Sequence, residues 1–411
     1  MSPSSALLRR LGGAAFLYTP IFLMSPVAVQ AQTSPIVSVD VSLGGTADSN
    51  PFLETNGAST ISATLQVEPR VYWEDETTSA SIDANLRVSQ YMERYGNDIG
   101  GRIGIQARKQ IDKRTSLAAS AGFQSSRSTF RDDFLANLSG SLDTVKFPAL
   151  VFNDLTIIGR RTRVMTLDAY VGLDHTISED DAINVFGTTS YSRFGGATQS
   201  DYRTGTLGLR YRRRLSERTS ATAGVSATAA DYIGVNTGDA RIVSPQIGIE
   251  NKLNERLSWT ANVGLSIVSV DDAQRVAQTS AYLTAALSLC DKGVKSALCG
   301  SLTRSAEPTA FGGIRPVTNV AFSYEQQLTA NDRFSVTGRY GRIGQSNVAF
   351  ALAQPRNSQL FGAAATYDKA INDRLSFFVS PSFTKVIEKP FRNASNYAIT
   401  VGVKMRLGKL R

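Results

Sequence analysis

Polar and apolar residues alternate with a period of two along most of this chain. Ile103, Ile105 and Ala107 alternate with Gly104, Gln106 and Arg108. Leu257, Trp259, Ala261, Val263, Leu265 and Ile267 alternate with Ser258, Thr260, Asn262, Gly264 and Ser266. Near the C-terminus Tyr397, Ile399, Val401, Val403 and Met405 are set against Thr400, Gly402, Lys404 and Arg406. Period two belongs to a β-strand with two unlike faces. The runs last about 10 to 14 residues, longer than an ordinary soluble strand and suited to a tilted, membrane-crossing one.

Between the runs a short charged turn recurs. Ile111-Asp112-Lys113-Arg114-Thr115-Ser116 returns as Leu215-Ser216-Glu217-Arg218-Thr219-Ser220, Leu253-Asn254-Glu255-Arg256-Leu257-Ser258 and Ile371-Asn372-Asp373-Arg374-Leu375-Ser376. Asn331-Asp332-Arg333-Phe334-Ser335 is a close relative. The spacing gives a unit of about 40 residues holding two strands, with one further turn expected near Asp291-Lys292-Gly293. A propeller blade of that length needs four strands and its own signature, which are not present.

The pattern predicts an all-β chain with a single antiparallel barrel of 18 strands, or 16 if the first strand and 298–306 are discounted. The expected strands are 36–44, 60–73, 78–92, 99–111, 115–128, 160–175, 182–194, 202–215, 219–230, 240–252, 257–270, 275–290, 298–306, 316–328, 333–343, 357–370, 375–387 and 395–408. Tight turns alternate with longer loops (Thr46–Ser59, Glu93–Asp98, Ser126–Ile158, Gly344–Asn357), the asymmetry of periplasmic turns and outer loops. Phe130, Phe134, Leu138 and Leu142 in the longest loop recur every fourth residue, an apolar stripe that either narrows the pore or caps the mouth. Aromatic residues gather at both strand ends as two interfacial girdles would: Trp73, Tyr211, Trp259, Tyr324, Phe334 and Tyr367 near the turns, Phe123, Tyr191, Tyr340, Phe361 and Tyr397 near the loops. Closure removes the unpaired edges that so many long strands would present.

Composition agrees and adds a compartment. The chain has 411 residues, 19% charged, with a net charge of +9. Beyond residue 31 no apolar run is long enough for a membrane helix. Arg9 and Arg10, the apolar stretch Leu11–Val29, and Val29-Gln30-Ala31 read as a secretory signal peptide over residues 1–31, with residues 32–411 as the barrel. The alternative, an uncleaved anchor helix, is interrupted by Pro20 and Pro26. Export argues against a nucleic-acid partner despite the basic charge.

Candidate chemistry lies on the inward phase. Glu68, Arg70, Asp83, Arg87, Arg102, Arg108, Asp168, Arg210, Arg212, Arg214, Glu250, Arg339, Lys404 and Arg406 share it. Ten of these fourteen are basic. Such a set suits a water-filled pore and favours anions; the competing reading is that the charges pair and merely solvate the interior. Arg161 and Arg163 share the outward phase of Met165 and Leu167 above the membrane band, where lipopolysaccharide phosphates or plain solvent would meet them. Catalysis needs a base beside a nucleophile, yet the single histidine, His175, falls on the lipid-side phase at a turn. No catalytic residue, metal site or cofactor is expected. Cys290 and Cys299 flank a turn on one phase and, in an exported chain, are expected to form a local disulfide rather than stay reduced.

The charged turns ending in Ser, the segment Asp48-Ser49-Asn50-Pro51 and the run Ile158-Gly159-Arg160-Arg161-Thr162-Arg163 together resemble outer-membrane proteins of the β-barrel porin-2 type. The resemblance covers nearly the whole mature chain. It implies a Gram-negative outer membrane, folding by the barrel assembly machinery, and an association with surface-polysaccharide export proteins. The last residues, Leu407-Gly408-Lys409-Leu410-Arg411, depart from the aromatic-ended signal that such machinery reads. The reading is a porin-like channel for hydrophilic, anionic solutes or exopolysaccharide, its partners outer-membrane lipid and lipopolysaccharide, with a homo-oligomer allowed. The alternative is a non-conducting structural or assembly barrel of an export complex.

Overall fold

The computed structural model describes residues 35–127, 161–196, 199–234, 238–272, 278–344, 357–389 and 392–408. Residues 1–31, read above as a signal peptide, and the stripe from Phe130 to Leu142 lie outside the described residues.

The strands are β1 Ile36–Asp48, β2 Thr60–Glu74, β3 Thr78–Tyr91, β4 Asn97–Gln110, β5 Thr115–Arg127, β6 Arg163–Thr176, β7 Asp181–Phe194, β8 Asp201–Arg214 and β9 Thr219–Ile233. They continue as β10 Gly238–Lys252, β11 Leu257–Asp272, β12 Gln278–Lys292, β13 Ser296–Pro308, β14 Ile314–Gln327, β15 Asp332–Ile343, β16 Asn357–Ala370, β17 Leu375–Lys389 and β18 Arg392–Gly408. Each pairs antiparallel with its sequence neighbours, and β1 pairs with β18 from Ser38↔Gly408 to Asp48↔Ala398. The sheet is therefore a closed 18-stranded barrel. A strand of about 14 residues rising ~3.3 Å per residue and tilted by ~40° crosses roughly 35 Å, enough for a bilayer core with its interfaces.

Register fixes which side chains face out. Leu65, Val88, Ile103, Leu167, Leu207, Ile247, Leu283 and Val403 are all large, apolar and exposed. Together with their neighbours they form an apolar belt around the barrel, of the kind a membrane-spanning barrel presents to lipid. At the loop-side edge of the belt Phe361, Phe383 and Tyr397 stack across β16–β18, with ring centroids 5.9 and 4.9 Å apart.

The recurring turn has a local cause. In Asp112-Lys113-Arg114-Thr115 the backbone N–H groups of Arg114 and Thr115 both donate to the Asp112 carboxylate, at 2.7 and 2.9 Å. Those two donors hold the Asp112 carboxyl below the usual carboxylate range. Asn254 does the same for Arg256 and Leu257, Asn372 for Arg374 and Leu375, and Ser216 for Arg218 and Thr219. A short polar side chain thus replaces a missing ladder partner and reverses the chain in four residues. The turn after β12 is closed instead by Gly293, whose N–H donates to Ser296 O at 2.7 Å. That is why it lacks the polar signature of the others. Beside it Cys290 and Cys299 are direct cross-strand partners, 4.2 Å apart at Cα and joined by a disulfide.

Candidate functional site: the lumen and its mouth

The inward phase of the wall changes character along its height. Toward the turns the inward side chains are polar and reach open space. Arg70, Arg214 and Arg406 keep 41%, 48% and 47% of their side-chain surface accessible, and Arg210 and Arg212 are exposed.

Two electrostatic regions divide this lower lumen. One is the closing seam. Asp40 on β1 sits directly opposite Glu68 on β2, and two buried carboxylates so close require cations. Arg406 binds Asp40 through two hydrogen bonds of 2.8 and 3.1 Å, and Lys404 Nζ lies 3.3 Å from the same carboxylate. Arg70 and Asn85 donate to Glu68 at 3.1 and 3.0 Å. Arg406 and Lys404 thus hold the first strand to the last. They are wall fasteners as much as pore lining.

The other region spans β4 to β8. Arg108 donates to Ser116 Oγ at 3.2 Å, and the Tyr170 hydroxyl lies among Asn184, Asp174, Arg210 and Arg108. Among the described residues Arg102, Arg108, Arg210 and Arg212 have no carboxylate at ion-pair distance. The rings of Tyr170 and Phe186 stack, 6.4 Å apart, and lie along the wall. Glycine makes that possible: a Cβ at Gly208 would stand 2.2 Å from Phe186 Cζ, and one at Gly172 2.1 Å from the Tyr170 hydroxyl. Arg214 pairs with Asp180 at 2.8 Å at the turn-side rim. Arg339 lies higher, on the inward phase of β15 between Ala321 and Gly362.

Toward the loops the same phase is closed, by apolar packing and by buried polar groups such as the Arg392–Glu388 pair. Two loops fold into the barrel there. In the β1–β2 loop Leu53, with φ of 52°, packs on Leu360, Ala364, Val386 and Ala394 of β16–β18. The adjacent Phe52, fully buried, packs on Tyr91 and Tyr95 on the other side. Asn50 pins the loop: its N–H donates to Asn396 Oδ1 at 2.7 Å, and its amide exchanges bonds with the Glu54 backbone at 2.8 and 3.0 Å.

The β13–β14 loop, Thr309 to Gly313, turns on Gly312 and Gly313 at φ of 80° and 79°, a conformation that side-chain-bearing residues rarely adopt. Its backbone carbonyls receive hydrogen bonds from Ser200 N–H and the Tyr232 hydroxyl, both at 2.7 Å. Strands β10–β12 separate β13 from β9 along the wall, so the loop reaches these partners across the inside. Ala310 packs with Phe194, Tyr202 and Tyr232, and Ile314 with Ile242, Val268, Val270 and Tyr282. Both loops narrow the mouth.

Of the inward residues expected from sequence, Arg87 is drawn into this upper region, where it reaches the buried Asp98 at 3.3 Å. Arg127 and Arg163 reach the same carboxylate at 3.5 and 3.9 Å. The outward placement expected for Arg161 is corrected. It precedes β6 with φ of 52°, which ends the alternation, and its guanidinium covers the rings of Phe52 and Tyr95 at 5.2 Å and meets Glu54 at 3.7 Å. His175 bonds Thr115 Oγ1 at 3.0 Å on the outer surface, and no cluster of metal-ligating side chains occurs among the described residues.

The sequence reading missed Asp40, Phe52, Leu53 and the β13–β14 loop. One signal was available for the mouth. Tyr91, Phe194, Tyr202, Tyr232 and Tyr282 occupy the polar phase of their strands, each near a loop end.

No family model matches the chain, and no curated protein does. Solved structures similar to it are outer-membrane proteins. Pseudomonas aeruginosa OpdK with vanillate is 10% identical at a TM-score of 0.46, over 90% of this chain and 99% of that one. OccK2 (OpdF) of the same organism, in complex with glucuronate, is 10% identical at 0.46, over 92% and 99%. The FrpB iron transporter from Neisseria meningitidis (F5-1 variant) is 7% identical at 0.41, over 91% and 83%. At such identities none of their ligands carries over to this chain.

Proposed function

We propose that this chain is a porin-like channel of a Gram-negative outer membrane that passes small hydrophilic solutes with a preference for anions. The observation that carries this reading is the set Arg102, Arg108, Arg210 and Arg212, inward on a sealed wall whose outer face is apolar. A guanidinium at membrane depth without a carboxylate partner needs water. A water-filled lumen lined by uncompensated cations lowers the barrier for anions and raises it for cations. The turns then face the periplasm and the loops the exterior.

The resemblance to the β-barrel porin-2 type adds a finer reading: service to a surface-polysaccharide export system, with the barrel assembly machinery and lipopolysaccharide as partners and no enzymatic activity of its own. The in-folded β1–β2 and β13–β14 loops favour short anionic solutes over a thick polymer. They also support the second reading, a structural barrel of such an export complex without free conductance. Purified protein in a planar bilayer separates the two. Stepwise, ohmic single-channel currents are the expected result; a heat-modifiable, folded protein that inserts without current would favour the structural role.

A further inference from the structure

The two edges of the apolar belt carry different charges. On the outward phase at the turn-side edge Lys109, Arg213 and Lys369 are balanced by Asp181, Asp291 and Asp332. At the loop-side edge Arg193, Arg203, Arg241, Arg304, Arg342 and Lys385 stand against Asp201, Asp231 and Asp239. Arg203 is spent on Asp231, at 2.7 Å. Within this edge one lateral row concentrates the excess. Arg304 of β13 is register partner to Thr318 of β14, Thr318 to Arg342 of β15, and Arg342 to Gln359 of β16. One step nearer the membrane centre the row is Leu302, Val320, Tyr340 and Phe361, of which Leu302, Val320 and Phe361 are clearly exposed.

We propose that Arg304 and Arg342, with Thr318 and Gln359, form a binding site for the phosphate of an anionic lipid whose acyl chains lie on the apolar row beneath. The two arginines stand two strands apart, ~10 Å between backbones, a gap that two extended guanidinium side chains close. Both are exposed, and among the described residues neither has a carboxylate at ion-pair distance. Arg304 is held sideways along the sheet: Nε donates to Leu283 O at 3.2 Å and Nη1 to Thr318 Oγ1 at 3.3 Å. Its Nη2 is left to donate outward, and guanidinium with phosphate forms the strongest of the charge-assisted hydrogen bonds. At the belt edge long basic side chains reach into the head-group layer, which offers phosphate. The phosphate-contacting role expected of Arg161 and Arg163 thus moves to this pair, because those two are engaged with Glu54 and Asp98.

The site rests on the bilayer placement proposed above, and the experiment separates the two ideas. Folded protein in micelles is titrated with a bisphosphorylated glucosamine lipid and with its dephosphorylated form, and retained lipid is read by native mass spectrometry. The wild type is expected to retain the phosphorylated lipid preferentially. Arg304→Gln with Arg342→Gln should weaken that retention at least tenfold, while Arg304→Lys with Arg342→Lys keeps most of it. Equal retention by wild type and the glutamine variant, or by the two lipids, would overturn the site. So would equivalent retention of inorganic phosphate alone, which would mark a free-anion site. Heat-modifiable migration confirms that each variant is folded. A wild type that folds in micelles yet never inserts into vesicles would overturn the membrane reading itself, and the site with it.

Discussion

Toward the turns, the inward phase of this barrel carries the exposed Arg210 and Arg212, and Arg70 and Arg406, half-exposed although paired with Glu68 and Asp40. Toward the loops, the same phase carries Tyr91, Tyr232, Val268 and Val270, all at most 3% exposed. The alternation runs unbroken along most strands, but the β12–β13 ladder ends at Ala285↔Arg304, and beyond it β13 pairs with β14 alone, where Ile314–Val317 are buried. What differs is the partner offered to each end. Below, the inward side chains meet water, and charge is stable there. Above, two chain segments are folded against them, and burial of about 25 cal/mol per Å² of apolar surface favours aromatic and aliphatic residues. A polar vestibule and a packed mouth are therefore two answers to the same alternation.

Removing the packing should convert the second answer toward the first. Deleting residues 51–56 takes away Phe52 and Leu53 and frees the faces of β3 and β16–β18 that they cover. Single-channel conductance is expected to rise about twofold or more, with ion preference unchanged because no vestibule arginine is touched. Unaltered conductance in a folded deletion variant would mean that the narrowest point lies elsewhere.

The contrast was only half legible in the sequence. The outer face could be read almost residue by residue, because the same apolar demand falls on every outward position and only alternation satisfies it. Strand ends came within a few residues for the same reason, helped by turns whose first polar residue caps two N–H groups. The in-folded loops obey no period: Phe52 and Ala310 are buried by contacts with strands far away in sequence, which no local pattern encodes. The inward place of Asp40 is legible from its alternation with Val39 and Val41, but its pairing with cations of the last strand is not. The excess of Arg over acid on the inward phase was legible, but not its division. Arg406 and Lys404 pair with Asp40 and Arg87 with Asp98, whereas among the described residues Arg102, Arg108, Arg210 and Arg212 form no ion pair, with Asp168 and Asp174 on the same phase of β6.

A smaller perturbation sharpens the lower half. At Gly208 an added side chain would collide with the Phe186 ring, so Gly208→Val should lift that ring from the wall into the vestibule. Overpacking of this kind costs about 1–3 kcal/mol, visible as a lower urea midpoint, and conductance should fall modestly. A variant with a lowered midpoint but wild-type conductance would show that the vestibule is wide enough for Phe186 to be irrelevant to flow.

The central claim is that these four arginines on β4–β8 set the permeability of an open lumen. The reversal potential of the purified protein across a tenfold salt gradient tests it most directly, compared with Arg210→Glu plus Arg212→Glu. The wild type should show a potential of the sign given by anions crossing faster, and the double variant a potential that shrinks toward zero or reverses. Cation preference in the wild type, or the same potential in both proteins, would contradict it.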